Sequence, residues 1–268
     1  MCRMANILAP ITLIGLGRSG TSFLEKAFDA SESVYASGET LGLLIGTYAG
    51  ALDSFFDSEF CDHNSRESFA ASIVRKTFLS LFPIEDNNYN RWFHKPAGIP
   101  KMIDWNRYRG NSDKGNCPVN FYWEAFDNVF PNAEYLTVLR NPWDIVASRI
   151  VFSGWDEEGG WEDINSLYEL LEDRLERMHV IFFDDLIERP EEIIKGLFAN
   201  LKIDIPSNIQ EVIETKVFPT QKDSLLKVYK SLKGPSYIDS DKRRIIDIWE
   251  RYGKKFANPI NGKLFFER

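Results

Sequence analysis

The stretch ITLIGLGRSGTSF, residues 11–23, constrains this chain more than any other. Ile11 to Ile14 form a short apolar and β-branched run that suits a buried strand. Glycines at 15, 17 and 20 break the run, and Phe23, Leu24, Ala27 and Phe28 then recur at helical spacing. A strand that turns through glycines into a helix lets backbone N–H groups converge on an anion at the positive end of the helix dipole, with no Cβ in the way. The segment predicts a phosphate or sulfate cradle.

Three chemistries fit that spacing. Gly15, Gly17 and Gly20 satisfy the G-x-G-x-x-G of a dinucleotide site, with Glu39 where a ribose-binding acid is wanted. Gly15, four residues, Gly20, Thr21 and Ser22 satisfy the Walker A spacing, but Thr21 stands where the phosphate-reaching lysine belongs. The third begins from Arg18, a cation inside the loop, with hydroxyls at Ser19, Thr21 and Ser22 beside it. The string RSGTS resembles the 5′-phosphosulfate-binding loop of the sulfotransferases, which use 3′-phosphoadenosine 5′-phosphosulfate (PAPS).

With 268 residues, 44% of them hydrophobic, the chain can bury a sizeable core and is expected to form one domain over residues 1–268. Its 32 basic residues against 40 acidic ones leave a net charge of −8, so no broad basic footprint for nucleic acid exists and an anion site has to be local. Cys2, Cys61 and Cys117 are odd in number, widely spaced and without C-x-x-C, and His63, His94 and His179 complete no zinc set. This usage fits a reducing, cytoplasmic compartment. The apolar run from Ala5 to Gly17 contains Pro10, lacks an A-x-A cleavage site and flows into the glycine loop, so it reads as a first core strand rather than a secretory signal. No other apolar run has the length of a membrane span.

Further along, Val34 and Tyr35 mark a strand within 33–37, before Gly38 and Glu39, and helical patterns occupy 41–60 and 65–82. A strand is expected at Arg91 to His94, a mobile polar loop over 104–116, a helix from Tyr122 to Phe130 ended by Pro131, and a strand over 135–139. Asn141 and Pro142 supply an N-cap and first helical residue directly after Arg140. Val180 to Phe183 reads as a buried strand closed by Asp184 and Asp185. Pro190 then leads a helix with Ile193, Ile194, Leu197, Phe198 and Leu201 inward. Ile245, Ile248, Trp249, Tyr252 and Phe256 mark the last helix. Strands alternating with helices predict an α/β fold with a central, mainly parallel sheet covered on both faces.

The second informative string is YLTVLRNPWDIVASRI, residues 135–150. A guanidinium fork at Arg140 with a hydroxyl at Ser148, two turns into the following helix, suits a phosphate monoester. Arg140, Asn141, Pro142, Asp144 and Ser148 resemble the 3′-phosphate-binding motif of sulfotransferases. A third string, FFDDLIERPEEIIKGLFANL over 182–201, resembles that family's aromatic-acid-acid-leucine strand end and proline-led helix. Val180 to Asp184 also reads as a Walker B strand, which keeps a P-loop NTPase or kinase-like enzyme open as an alternative. A non-catalytic nucleotide-binding module is the other.

Taken together, the chain resembles the PAPS-dependent sulfotransferases, with loop and base spacing nearest their protein-tyrosine and bacterial branch. The resemblance implies a P-loop-like three-layer α/β/α fold that moves the sulfuryl group of PAPS to a hydroxyl or amine of a small-molecule acceptor and releases 3′-phosphoadenosine 5′-phosphate (PAP), with no metal, nucleic acid or membrane involved. It assigns Arg18, Ser19, Gly20, Thr21 and Ser22 to the 5′-phosphosulfate, Arg140 and Ser148 to the 3′-phosphate, and Arg18 also to charge on the leaving phosphate. Glu39 is the first candidate for the acceptor's base and reads equally as a helix N-terminal cap. His94, in the string FHKP, is the second. Residues 152–163, FSGWDEEGGWED, read either as a solvated loop or as a mobile acidic and aromatic gate for a cationic acceptor. Trp105, Arg107 and Tyr108 are placed at the same mouth, and Lys233 and Gly234 resemble a basic-glycine element that caps the 3′-phosphate in cytosolic members.

Overall fold

The computed structural model of the chain describes residues 9–54, 63–82, 89, 91–96, 119–172, 174–214, 222–234 and 239–252. The three cysteines, the loop expected over 104–116 with Trp105, Arg107 and Tyr108, and Phe256 lie outside the described residues, as does the His63 side chain.

Five strands form one sheet: β1 (Ile11–Ile14), β2 (Val34–Glu39), β3 (Arg91–Lys95), β4 (Glu134–Leu139) and β5 (Met178–Phe182). Their order is β2-β3-β1-β4-β5, and every pairing is parallel. β1 takes the centre, with all four residues buried, as a short run without a polar face requires. β2 runs to Glu39, two residues past the expected end, through an irregularity in its pairing with β3 between Ala36 and Glu39.

Helices cover both faces, giving the three-layer arrangement. On one face lie α1 (Thr21–Asp29), whose buried stripe is Thr21, Leu24, Ala27 and Phe28, and the proline-led helix over 190–201. Phe28 ties them to the sheet: its ring stacks on Phe93 at 4.4 Å between centroids and on Phe198 at 5.1 Å. On the other face lie α2 (Leu41–Asp53), α3 (His63–Leu81), α4 (Val119–Val129), α5 (Pro142–Ser153) and α6 (Glu157–Glu172). Trp92, Phe78, Phe126 and Phe130 fill the space between them and the sheet.

Two expectations are corrected here. Residues 157–163 are not a loop, because they form the first two turns of α6. The glycines that made the stretch look irregular serve packing: a Cβ at Gly160 would lie 3.3 Å from Val146 Cγ1 of α5. Trp161 meets Trp143 edge to face at 4.8 Å, and Asp156 accepts a hydrogen bond from the Gly159 amide at 2.6 Å. The second correction is at Phe183, which leaves the strand and opens α7 (Phe183–Glu188), followed by α8 (Pro190–Leu201).

The topology fixes where a ligand can sit. After β1 the chain crosses to β2 on one side of the sheet, and after β4 it goes to β5 on the other. The connections leaving the adjacent strands β1 and β4 therefore diverge, and a crevice opens at their carboxyl ends. Arg18 and Arg140 stand on the two sides of that crevice.

Candidate functional site

The first wall is the glycine loop. Ser19 is fully buried, and its hydroxyl donates to the Leu16 carbonyl at 2.6 Å, so the side chain closes the turn and leaves only its backbone for a ligand. Thr21 is buried as well, whereas Ser22 is exposed. Gly20 is the N-cap of α1 in the left-handed region, φ 93°, with no side-chain hydrogen bond onto the first turn. No side chain caps the first turn, and the Phe23 amide turns back to the Gly20 carbonyl at 3.0 Å, so the turn carries no side-chain cap that would compete with an anion. Gly20 has a second reason to be glycine: a Cβ there would meet Phe183 Cδ2 at 2.8 Å. At Gly17 a Cβ would meet no protein atom within 4 Å, so the loop opens outward at that point.

Arg18 holds a left-handed backbone, φ 73°, which costs a non-glycine residue about 1–2 kcal/mol. Its surroundings hold it there. Arg140 Nη1 donates to the Arg18 carbonyl at 2.6 Å, and Arg18 Nε donates to Ser148 Oγ at 3.1 Å. Strain of this kind persists only where neighbours over-determine it, and it concentrates at binding sites.

The second wall is β4 and α5. Asn141 caps α5 as expected, its side chain accepting from the Trp143 amide at 3.0 Å, with Pro142 in the first turn. Arg140, on the last residue before that cap, is 7% exposed and lies 3.9 Å from Asp144. Burial pushes the Asp144 carboxyl up, Arg140 pulls it back down, and Asp184 adds to the rise. Each cation also lies over an aromatic face, Arg18 on Phe152 at 4.5 Å and Arg140 on Phe183 at 4.3 Å. The structure therefore brings Arg18, Arg140 and Ser148 into direct contact across 122 and 130 residues of sequence.

Glu39 lies at the carboxyl end of β2, on the same edge of the sheet but two strand positions from β1. Its side chain is exposed, with Oε1 3.5 Å from Lys95 Nζ. Lys95 is nearly buried and donates more closely to Glu25 of α1, at 2.6 Å. His94 is elsewhere. It is fully buried, with its ring nitrogens 2.6 Å from the Thr12 hydroxyl and 2.7 Å from that of Thr40, and burial pushes its pKa down to about 3. A neutral imidazole with both nitrogens taken is a structural bridge among β1, β3 and the start of α2. The adjacent residues His94 and Lys95 thus brace the Glu39–Thr40 turn from opposite faces of the sheet.

Sequence reasoning missed Phe183, Phe152 and Glu25. Phe183 carried a signal, as the second aromatic of FFDD, but was read as strand core, and its double contact with Gly20 and Arg140 depends on chain ends brought together only by folding. Among the described residues no group of three or more His, Cys, Asp and Glu side chains could hold a metal ion, and no helix is long and apolar enough to cross a membrane.

Known proteins share this fold. No curated protein sequence matches. Among solved structures, the chain is similar to the sulfotransferase domain from the curacin biosynthetic pathway, with 14% identity, a TM-score of 0.55, and 93% of this chain and 99% of that one covered. It is also similar to the sulfotransferase domain from the Synechococcus PCC 7002 olefin synthase, with 14% identity, a TM-score of 0.56, and coverage of 92% and 96%. At such identities the likeness is one of fold. The model of the sulfotransferase family matches residues 10–207, a span that holds the glycine loop, Glu39, Arg140 and Ser148. With more than half of its length matched, this chain belongs to the sulfotransferase family.

Proposed function

We propose that this chain moves the sulfuryl group of PAPS to a hydroxyl or amine of a small-molecule acceptor and releases PAP, in the reducing cytoplasm and without a metal. The observation that supports it best is the meeting of the two junctions: Arg18 from the β1 loop bonded to Ser148, and Arg140 from the β4 end bonded to the Arg18 backbone. PAPS carries one phosphate on the ribose and a phosphosulfate at the other end, and so asks for two linked anion sites. ATP and NAD carry no 3′-phosphate for the second. The Walker B reading also loses support, since Asp184 sits in the first turn of α7 and not at a strand end.

In this reading the amides from Ser19 to Ser22 and the Arg18 guanidinium hold the 5′-phosphosulfate, and Arg140 and Ser148 hold the 3′-phosphate. PAPS supplies the sulfuryl group and its phosphate leaving group. Arg18 offsets charge that grows on the leaving oxygen, a task that needs a permanent cation at a fixed place. Glu39 removes the acceptor's proton, with Lys95 beside it and the His94–Thr40 bridge fixing its turn. The burial of both His94 ring nitrogens supports Glu39 over His94 as the base. Of the acids in 152–163, Asp156, Glu157 and Asp163 bond to the protein itself, which leaves the exposed Glu158 and Glu162 as what supports a cationic acceptor.

The test is calorimetry followed by an acceptor screen. PAP should bind far more tightly than ATP with magnesium or NAD(P), and PAPS with an acceptor library should give sulfated products by mass spectrometry. Preference for ATP with magnesium would sink the reading. PAP binding without any product would favour a non-catalytic nucleotide-binding module.

A further inference from the structure

We propose that Glu157 is an internal anion seated in a phosphate-binding nest, and that it sets which nucleotides this chain accepts. The ligand named here rests on the PAPS reading above; the nest rests on geometry alone. Glu157 Oε1 accepts from the Lys233 amide at 2.9 Å, the Gly234 amide at 2.9 Å and the Trp161 indole at 3.1 Å, while Oε2 accepts from the Lys233 amide at 3.2 Å. Two successive backbone amides aimed at one oxygen form an anion-binding concavity. Gly234 makes the turn possible, with φ 91°. It is also pressed on Trp143, since a Cβ there would lie 2.9 Å from Trp143 Cη2.

Trp143 is the second residue of α5, three beyond Arg140, and its other side meets Trp161. The nest therefore covers the helix start that carries the proposed 3′-phosphate site. A carboxylate fills it with two oxygens and one charge. A ribose phosphate brings three oxygens and nearly two charges, so it competes for the amides more strongly than a carboxylate does, and Glu157 swings out. A nucleotide without that phosphate has nothing to displace Glu157, which keeps its bonds and a negative charge at the mouth. Selectivity then arises partly from a repelling group on the protein, and the apparent affinity for PAP is reduced by the fraction of molecules in which the nest is filled.

A simple strut would behave in the opposite way. Removing a strut loosens the 232–234 turn and weakens PAP, whereas removing a competitor strengthens it. The experiment is titration calorimetry of PAP and of 5′-AMP against the full chain and its Glu157→Gln and Glu157→Ala variants, with thermal unfolding to show that each is folded. PAP should tighten by about tenfold in a folded variant, while 5′-AMP stays within about twofold. Weaker or unchanged PAP binding, or an equal gain for both nucleotides, overturns the proposal. If PAP fails to bind even the unaltered chain, the PAPS reading falls and the nest is judged separately. Inorganic phosphate should then shift the Lys233 and Gly234 amide resonances in the variants and not in the parent, and the absence of such shifts overturns the nest.

Discussion

The two strand-to-helix junctions that face each other at the crevice are built alike and finished differently. Both run from a buried parallel strand into a helix, β1 into α1 and β4 into α5. At the first, the cap is Gly20, with no side-chain bond, and Arg18 within the loop is strained. At the second, Asn141 caps its own helix and Pro142 fills the first turn. The first junction has no side-chain cap over its opening turn, and the self-capped junction presents side chains, Arg140 and Ser148. In the proposed reading, one crevice combines a glycine-loop cradle for one phosphate with a pair of side chains that selects where on the nucleotide a second phosphate sits.

If holding the nucleotide belongs to these junctions and proton removal belongs to a third strand end, the two should separate by mutation. Glu39→Gln should lower kcat by about two to four orders of magnitude, with PAP affinity nearly intact. Near-full activity, once an acceptor is known, would remove Glu39 from the role. The next largest effect is steric. Gly20→Ala places a side chain on a φ of 93° and against Phe183, and should cost about 1–3 kcal/mol of stability along with most PAP binding. Phe183→Leu should recover part of that loss in the double variant; additive losses would mean that Phe183 is not the obstacle.

The His94 bridge gives a pH test. Its folded pKa lies below the unfolded value near 6.5, so the unfolded chain binds the proton first as pH falls. The bridge's contribution to stability is therefore full above about pH 6.5 and declines toward about pH 3, by up to about 1.4 kcal/mol per pH unit. Denaturant unfolding of His94→Gln should show a shallower loss over that window, and an identical slope would contradict the buried, neutral imidazole. The smallest effect is at the second cap. Asn141→Ala should cost about 1 kcal/mol and leave the glycine-loop contacts in place, whereas the first junction has no cap residue to remove.

Both junctions were legible because glycine, asparagine and proline act on their own backbone, and that action survives without tertiary context. What was illegible is non-local. Nothing in the sequence says that β3 inserts between β2 and β1, which is what puts Lys95 beside Glu39 and buries His94 under Thr40. Gly159 and Gly160 predict a loop until Val146 is seen to need Gly160's missing side chain. Phe152 and Phe183 became partners of the two arginines only through folding, so aromatic residues read as gate or core turned out to position cations.

The central claim is that one nucleotide bridges both junctions. Calorimetry of PAP and 5′-AMP against the full chain and Arg140→Gln tests it most directly. The unaltered chain should favour PAP by about a hundredfold, and the variant should lose most of that preference. It should also weaken 5′-AMP only slightly, by loosening the Arg18 carbonyl that Arg140 holds. Equal losses for both ligands, or no preference in the unaltered chain, would contradict the bridging account.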